Sequence, residues 1–238
     1  MNAVNAVLVE AYQATACYAL PAFRTNRIIT YPLPQYSTVI GMVHAACGWK
    51  TYHDLKISVA GKSTAKDTVF ETAWKGGLLG TESEEFKNRF PVRLQAGDDK
   101  VVGWVKSVIQ RDIVTDVSLR LHISGKDESE NEEILHGILY PKTFLSLGRY
   151  EDLLRIDNAK IVQIEKDYTE NIWLDMDCYV PFNFNMSGTV YNIHKKYTIS
   201  RGKRVFENVP TCVFGGNTYL TDMHIIDLDE LGNPVFFA

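Results

Sequence analysis

The chain has 238 residues, of which 45% are hydrophobic and 23% charged, with a formal net charge of −4 at pH 7. This composition predicts a globular protein with a substantial core and excludes extensive disorder. No segment approaches the roughly 18 apolar residues that a membrane helix needs, and the opening MNAVNAVLVEAYQAT lacks the basic start of a signal peptide. We therefore expect a soluble, cytoplasmic protein without a membrane partner.

The first predicted elements are a strand over 4–12 and a helix that follows a proline-rich connection. Pro32 and Pro34 keep the residues before them extended, because a residue that precedes proline avoids the helical region. Ser37 then has the side chain of an N-cap, and Gly48 suits the position after the last turn. Apolar residues at helical spacing predict a buried face formed by Val39, Ile40, Val43, Ala46 and Cys47.

Gly41 is the unusual residue of this helix. An interior glycine costs about 1 kcal/mol relative to alanine. It falls on a small, partly polar face together with Ser37, His44 and Gly48. The missing Cβ lets another chain come close, so Gly41 either packs against a neighbouring element or receives a ligand.

The middle of the chain predicts a strand at 55–61, a long hairpin at 75–112 and a strand at 114–123. The hairpin follows from alternation of RFPVRLQAGDDKVVGWVKSVI around a turn at 97–99, and its glycine- and charge-rich start indicates an insertion. The acidic run from Asp127 predicts a helix to about Gly137, because acids are favourable at a helix N-terminus.

The rest of the chain predicts strands. FLSLGRYEDLLRI should form a short strand that breaks at Gly148-Arg149. Later strands are expected at 159–166, 178–182, 190–199, 204–214 and 223–228.

The order of elements predicts the fold class. Without the insertion, the order up to residue 147 is strand, helix, strand, strand, helix, strand, which is the pattern of an α+β ferredoxin-like (RRM-like) fold. We predict a single domain over 1–238, with an inserted β-hairpin thumb at 75–112 and an additional C-terminal β region at 159–238. Such sheets often bind single-stranded RNA on the face left free by the helices.

The charges are distributed unevenly along the chain. The stretch HKKYTISRGKR at 194–204 is basic, whereas DESENEE at 127–133 is acidic. A basic patch can bind nucleic acid despite a negative net charge, because the field at a groove is local. The alternative for 194–204 is a solvated hairpin, since Tyr-Thr-Ile followed by Arg-Gly-Lys is typical of a strand and turn.

The sequence offers little for metal, cofactor or small-molecule chemistry. The four cysteines are far apart without a CxxC pair, which predicts reduced thiols and no zinc site. AGKST at 60–64 resembles the end of a phosphate-binding loop but lacks its first glycine at the required spacing. A small-molecule enzyme would need a converging nucleophile, base and oxyanion donors, so it is the less favoured alternative.

Two stretches carry a resemblance to a known family. YPLPQYSTVIGMVHAACGW at 31–49 and TFLSLGRYEDLLRID at 143–157 resemble the CRISPR-associated Cas family five of the RAMP superfamily, most closely its type I-B subfamily. The similarity covers 6–62 and 113–165. It implies an RRM-like body with a protruding thumb, for which 75–112 is the candidate.

The resemblance also implies a function in antiviral defence. Proteins of this family are subunits of Cascade, the RNA-guided surveillance complex. They hold the 5′ handle of the crRNA and cap the row of backbone subunits beside the large subunit, and target DNA is a further possible partner through the complex.

The resemblance and the residue types together predict an RNA site. Ser37 and Thr38 add hydroxyls to a helix N-terminus that attracts phosphate. Arg149 can grip a phosphate or stack on a base, the alternative being an ion pair with Glu151 or Asp152. The tyrosines can stack on bases or simply pack. The predicted RNA-binding residues are Arg24, Arg27, Tyr31, Tyr36, Ser37, Thr38, Gly41, Arg149, Tyr150, Lys195 and Lys196.

Catalysis is the remaining question. The type I-C branch cuts precursor crRNA without metal, using a tyrosine, a lysine and a histidine, and such chemistry needs a base and a cation. The only adjacent pair of that kind, His194-Lys195, has the reversed order. We predict no catalysis, no cofactor and no catalytic or metal-binding residue, with a metal-independent crRNA endoribonuclease as the alternative.

Overall fold

The computed structural model describes residues 4–21, 27–81, 83–98, 100–168, 171–182, 189–221 and 225–238. The described residues form two compact units, one within 1–18, 31–66 and 113–238, the other within 19–30 and 67–112. The helices are α1 (Tyr36–Cys47), α2 (Glu84–Arg89) and α3 (Glu128–Leu139). The strands are β1 (Val4–Ala16), β2 (Tyr18–Ala19), β3 (Arg27–Ile28), β4 (Thr30–Tyr31), β5 (Lys56–Lys62), β6 (Ala65–Gly80), β7 (Val92–Gln95), β8 (Val101–Ser124), β9 (Arg155–Asp167), β10 (Asn171–Leu174), β11 (Asp177–Pro181), β12 (Val190–Ser200), β13 (Lys203–Phe214), β14 (Thr218–Thr221), β15 (Ile226–Asp229) and β16 (Pro234–Val235).

The first unit is a sheet-rich α/β structure. Its main sheet has the order β12-β13-β11-β5-β8-β1-β9-β15-β16. β1 pairs with β8 and β9, and β5 pairs with β8, all antiparallel. In the chain, α1 lies between β1 and β5, and α3 lies between β8 and β9. The prediction of a mixed α/β protein is confirmed.

The centre of this sheet is buried on both faces. Ala6, Val7, Leu8 and Val9 are consecutive residues of β1 that are all fully buried, and successive side chains of a strand point to opposite faces. On one face, Ala6 and Leu8 pack against residues of β9 and against Val235 of β16. This face of the sheet is therefore covered at its centre by the C-terminal segment.

The helices follow the predicted patterns, with one correction. α3 begins after Asp127, whose carboxylate accepts the Glu130 N–H, and α1 ends at Gly48, which has φ 69°. The prediction that Ser37 caps α1 is wrong. Gln35 holds the N-cap position and Ser37 lies in the first turn.

In two further places the structure differs from what the sequence pattern predicted. Residues 144–154 form no regular strand, and among the described residues only an isolated bridge joins Ser146 to Leu153. β10 and β14, which pair with each other, were not predicted. Most of the other predicted strands are confirmed within a few residues. For the strand predicted at 223–228, residues 223 and 224 lie outside the described residues.

The second unit contains the predicted insertion 75–112 and also residues 19–30 and 67–74. β7 and the start of β8 form the predicted hairpin, closed by a hydrogen bond from Ala96 N–H to the Lys100 carbonyl. The short α2 was not predicted, and Ser83 caps it. No helix in the described part of the chain is long and apolar enough to span a membrane.

Candidate nucleic-acid interface

A cleft of about 230 Å³ lies between α1 and the segment 144–148 of the first unit. Thr38, Gly41, Met42 and Ala45 line it from α1. Phe144, Leu145, Ser146 and Gly148 line it from the other side. The two sequence stretches that carry the family resemblance thus meet at one surface, although more than 90 residues separate them in the chain.

Gly41 opens onto this cleft. A Cβ built on Gly41 would meet no heavy atom of the described residues within 4 Å. Gly41 is also absent from the described glycines that have positive φ. Neither packing nor backbone conformation within the described chain requires a glycine here, so the proposal of a helix-packing glycine is not supported.

The N-terminal end of α1 borders the cleft, because Thr38 in its first turn is one of the lining residues. The Gln35 carbonyl accepts the Thr38 and Val39 N–H groups, at 2.9 and 3.1 Å. The Gln35 side chain makes no capping hydrogen bond within the described residues, and the first turn, which is fully described, contains no acid. The positive end of the helix dipole is therefore not neutralised by a local carboxylate.

An Arg–Asp pair holds the other wall of the cleft. Arg149 Nη2 and Nε donate to the carboxylate of Asp152 at distances from 2.7 to 3.2 Å. The Asp152 side chain is completely buried, whereas the Arg149 side chain is 20% exposed. The same carboxylate also accepts the backbone N–H groups of Arg149 and Cys17. Gly148 has φ 99°, a conformation that suits glycine, and a Cβ there would approach the Cys17 carbonyl to 2.8 Å.

Two further side chains of the first unit fix this segment to its sheet. Gln13, a fully buried residue of β1, donates from its side-chain amide to the carbonyls of Leu147 and Asp152, at 2.9 and 2.8 Å. The Tyr18 hydroxyl donates to the Gln13 side-chain oxygen at 2.7 Å. The segment is therefore held rigidly, and sequence reasoning missed Gln13 because its partners lie over 130 residues away.

Arg149 has a different environment from the predicted RNA contact. Besides Asp152, its guanidinium contacts Glu151 at 3.0 Å. The alternative ion pairs named from the sequence are thus present, and both occur together. These contacts place Arg149 in the wall of the cleft, and its predicted RNA contact stays a prediction.

The aromatic candidates divide into buried and exposed residues. Tyr36 is fully buried and Tyr31 is 6% exposed. Tyr36 packs edge-on against Tyr179, Tyr31 packs against Tyr191, and burial raises the pKa of both candidate hydroxyls. The placement of these two rings does not support base stacking. Tyr150 is 80% exposed, as stacking requires.

Phe144 was missed by sequence reasoning. Its ring is 67% exposed and it lines the cleft directly. The neighbouring Leu145 is buried and accepts the Leu154 N–H at 2.8 Å. The only sequence signal was a phenylalanine before the alternating Leu-Ser-Leu, which was read as part of a strand.

Lys195 and Lys196 lie on the β12–β13 hairpin. The pairing register shifts between His194 and Lys196, so Lys195 lies in a bulge. Lys196 contacts Glu207 at 3.2 Å. β12 packs against α1, which brings the basic hairpin next to the helix that forms the cleft. The turn of this hairpin is formed by Arg201 and Gly202, both with positive φ. The basic stretch 194–204 therefore forms the strand and turn that the sequence analysis named as the alternative.

Arg27 belongs to the second unit. Arg27 lies in β3, has a 57% exposed side chain and contacts Asp112 at 3.8 Å. Arg24 lies outside the described residues. Their predicted RNA contacts stay predictions.

The histidines and cysteines in the described part of the chain do not form a metal site. His122 Nε2 lies 3.0 Å from the buried Asp229 carboxylate, and the His44 ring accepts the His53 N–H. Burial raises the pKa of the Cys47 thiol to about 11, which keeps it protonated. Among the described residues, no group of three or more His, Cys, Asp or Glu side chains could hold a metal ion.

Comparison with known proteins identifies the class. The family model described as CRISPR-associated protein (Cas_Cas5) matches residues 6–173, a range that includes both walls of the cleft. The chain is therefore a CRISPR-associated protein. It belongs to the Cas5 family, as the resemblance predicted.

Comparison with solved structures shows a similar fold in a chain of one CRISPR complex. A chain of a structure titled "CRISPR RNA-guided surveillance complex" is 15% identical, with a TM-score of 0.55, and the alignment covers 96% of this chain and 92% of that one. A CRISPR protein from Archaeoglobus fulgidus is 11% identical, with a TM-score of 0.40 and coverage of 94% and 98%. No curated protein matches the chain.

Proposed function

We propose that the chain is a non-catalytic subunit of Cascade, which holds the 5′ handle of the crRNA and caps the row of backbone subunits beside the large subunit. Membership of the Cas5 family supports this proposal. The observation that carries it is the cleft between α1 and 144–148, because the two resemblance stretches, distant in sequence, build one surface.

The fold proposal is a ferredoxin-like RAMP body. The strands β5, β8, β1 and β9 are neighbours in that order, and the helices follow β1 and β8. This is the arrangement expected from a split βαβ pattern. In the same proposal residues 75–112, which lie in the second unit, are the thumb, and 159–238 is the C-terminal extension.

The RNA backbone would bind at the positive end of α1. Backbone N–H groups at a helix N-terminus and the hydroxyls of Ser37 and Thr38 suit a phosphate, and the first turn carries no acid among its described residues. Lys195 and Lys196 would add long-range attraction from the hairpin beside α1. Arg149 acts by holding the cleft wall through Asp152.

The proposal is tested by binding of a handle RNA to the full-length protein at several salt concentrations. Each phosphate contact on a single strand contributes about −0.7 to the slope of log K against log salt, so three or four contacts predict a slope of about −2 to −3. Affinity that does not change with salt, or equal affinity for a duplex DNA of the same length, would contradict the proposal.

A further inference from the structure

We infer that the cleft between α1 and 144–148 receives one unstacked nucleobase of the bound RNA, with the Phe144 ring stacked on the base and Gly41 leaving the room that the base occupies. The inference rests on the proposed function and deepens it. It assigns a base-binding role to Phe144 and Gly41, whereas phosphates bind at the end of α1.

The charge and polarity of the lining favour a base. None of the eight described lining residues is charged, so the cleft suits a neutral ring better than a phosphate or a charged side chain. The Thr38 and Ser146 hydroxyls lie in the lining, and each can donate to or accept from a base edge. The rest of the lining is apolar or glycine, which suits the faces of a planar ring.

The volume of the cleft also favours a single base. A volume of about 230 Å³ corresponds to roughly seven or eight water molecules at about 30 Å³ each. That space accepts one planar heteroaromatic ring system, and it is smaller than the roughly 300–1,000 Å³ of pockets for drug-sized ligands.

Phe144 has the position of a stacking platform. Its ring is two-thirds exposed to solvent, whereas the residues after it are fixed by the Leu154–Leu145 hydrogen bond and the Ser146–Leu153 bridge. An exposed aromatic ring on a fixed backbone is the usual platform for single-stranded RNA, because every base has a face to stack.

The glycine at position 41 also favours a ligand in the cleft. Alanine would be the better residue for the helix itself, and its Cβ would meet no described atom of the chain. A substituent at position 41 would instead extend into the space at the cleft. The glycine is therefore explained by a ligand that fills this space.

The experiment measures handle RNA binding by the full-length protein, using RNAs that each contain one 2-aminopurine. Phe144→Ala should weaken binding about tenfold, in the range that removal of a stacking ring gives, and should abolish the fluorescence quenching at one handle position. Gly41→Ala should raise the melting temperature by about 2–4 °C and yet weaken binding, and Gly41→Leu should weaken it further. Tyr168→Ala, which removes another exposed ring, is the control and should bind as the wild type does.

The outcomes separate the two proposals. If the wild type does not bind handle RNA, the proposed function fails. If the wild type binds and Phe144→Ala or Gly41→Leu binds equally well with unchanged quenching, the base-binding inference is overturned and the RNA site lies elsewhere. A more stable Gly41→Ala protein that binds less RNA would support the inference, since lost folding could not explain that result.

Discussion

The buried carboxylate of Asp152 gives the sharpest stability prediction. Its side chain has no solvent exposure and accepts hydrogen bonds from the Arg149 guanidinium, the Arg149 N–H and the Cys17 N–H. Asp152→Ala removes all of them and leaves a guanidinium and two N–H groups without this acceptor. Because loss of one partner of a buried ion pair costs about 3–5 kcal/mol, we expect a loss of that size.

Arg149→Ala should cost less, about 2 kcal/mol. The carboxylate then keeps the two backbone N–H donors, and the arginine side chain is 20% exposed, so solvent partly replaces it. Glu151→Ala is the matched control, since it removes only one partly exposed contact with the same arginine and should cost under about 1 kcal/mol.

Urea denaturation followed by circular dichroism measures these losses, and the Arg149→Ala/Asp152→Ala double variant measures the coupling. We expect the double variant to be at least 1 kcal/mol more stable than the sum of the single losses predicts. Additive losses, or equal losses for Asp152→Ala and Glu151→Ala, would refute the idea that this pair holds the cleft wall.

Three further outcomes are expected. Burial raises the pKa of Asp229, but hydrogen bonds from His122 and Asn233 outweigh it and hold that pKa well below its usual 3.8. Asp229→Asn should therefore reduce stability at pH 7, with the difference from wild type shrinking as the pH falls below 3.8, and a pH-independent difference would contradict this stabilisation of the Asp229 carboxylate. Gly48→Ala should cost about 1 kcal/mol in thermal unfolding because φ is 69°, and an unchanged melting temperature would contradict the left-handed cap. Precursor crRNA incubated with the protein in EDTA should stay uncut, whereas a specific product abolished by His194→Ala would establish the endoribonuclease alternative.

The sequence predicted the elements whose causes are local. Asp127 caps α3 and Gly48 ends α1, because capping depends on residues within one turn. The turn at Arg201-Gly202 also follows from local residue types, and the sequence analysis named it as the alternative for the basic stretch. Within the family stretches, the position of Gly41 on an open face also followed from helical spacing alone.

The errors have nonlocal causes. Residues 144–154 alternate like a strand, but Asp152 binds the N–H of Cys17, 135 positions away, and this contact folds the segment into a turn. The burial of Tyr31 against Tyr191 and of Tyr36 against Tyr179 is likewise a nonlocal feature that the sequence does not show. Phe144 was predicted only as part of a strand, and its 67% exposure at the cleft could not be read from the local pattern.

The most direct test is photo-crosslinking of the handle RNA to the full-length protein, with the crosslinked peptides identified by mass spectrometry. The account predicts crosslinks in the peptides that contain Ser37–Gly41 and Phe144–Tyr150, at adjacent nucleotides of the handle. A second cleft is lined by the acidic residues Glu165, Asp167 and Glu230. Crosslinks confined to that cleft, with neither of those peptides modified, would contradict the account.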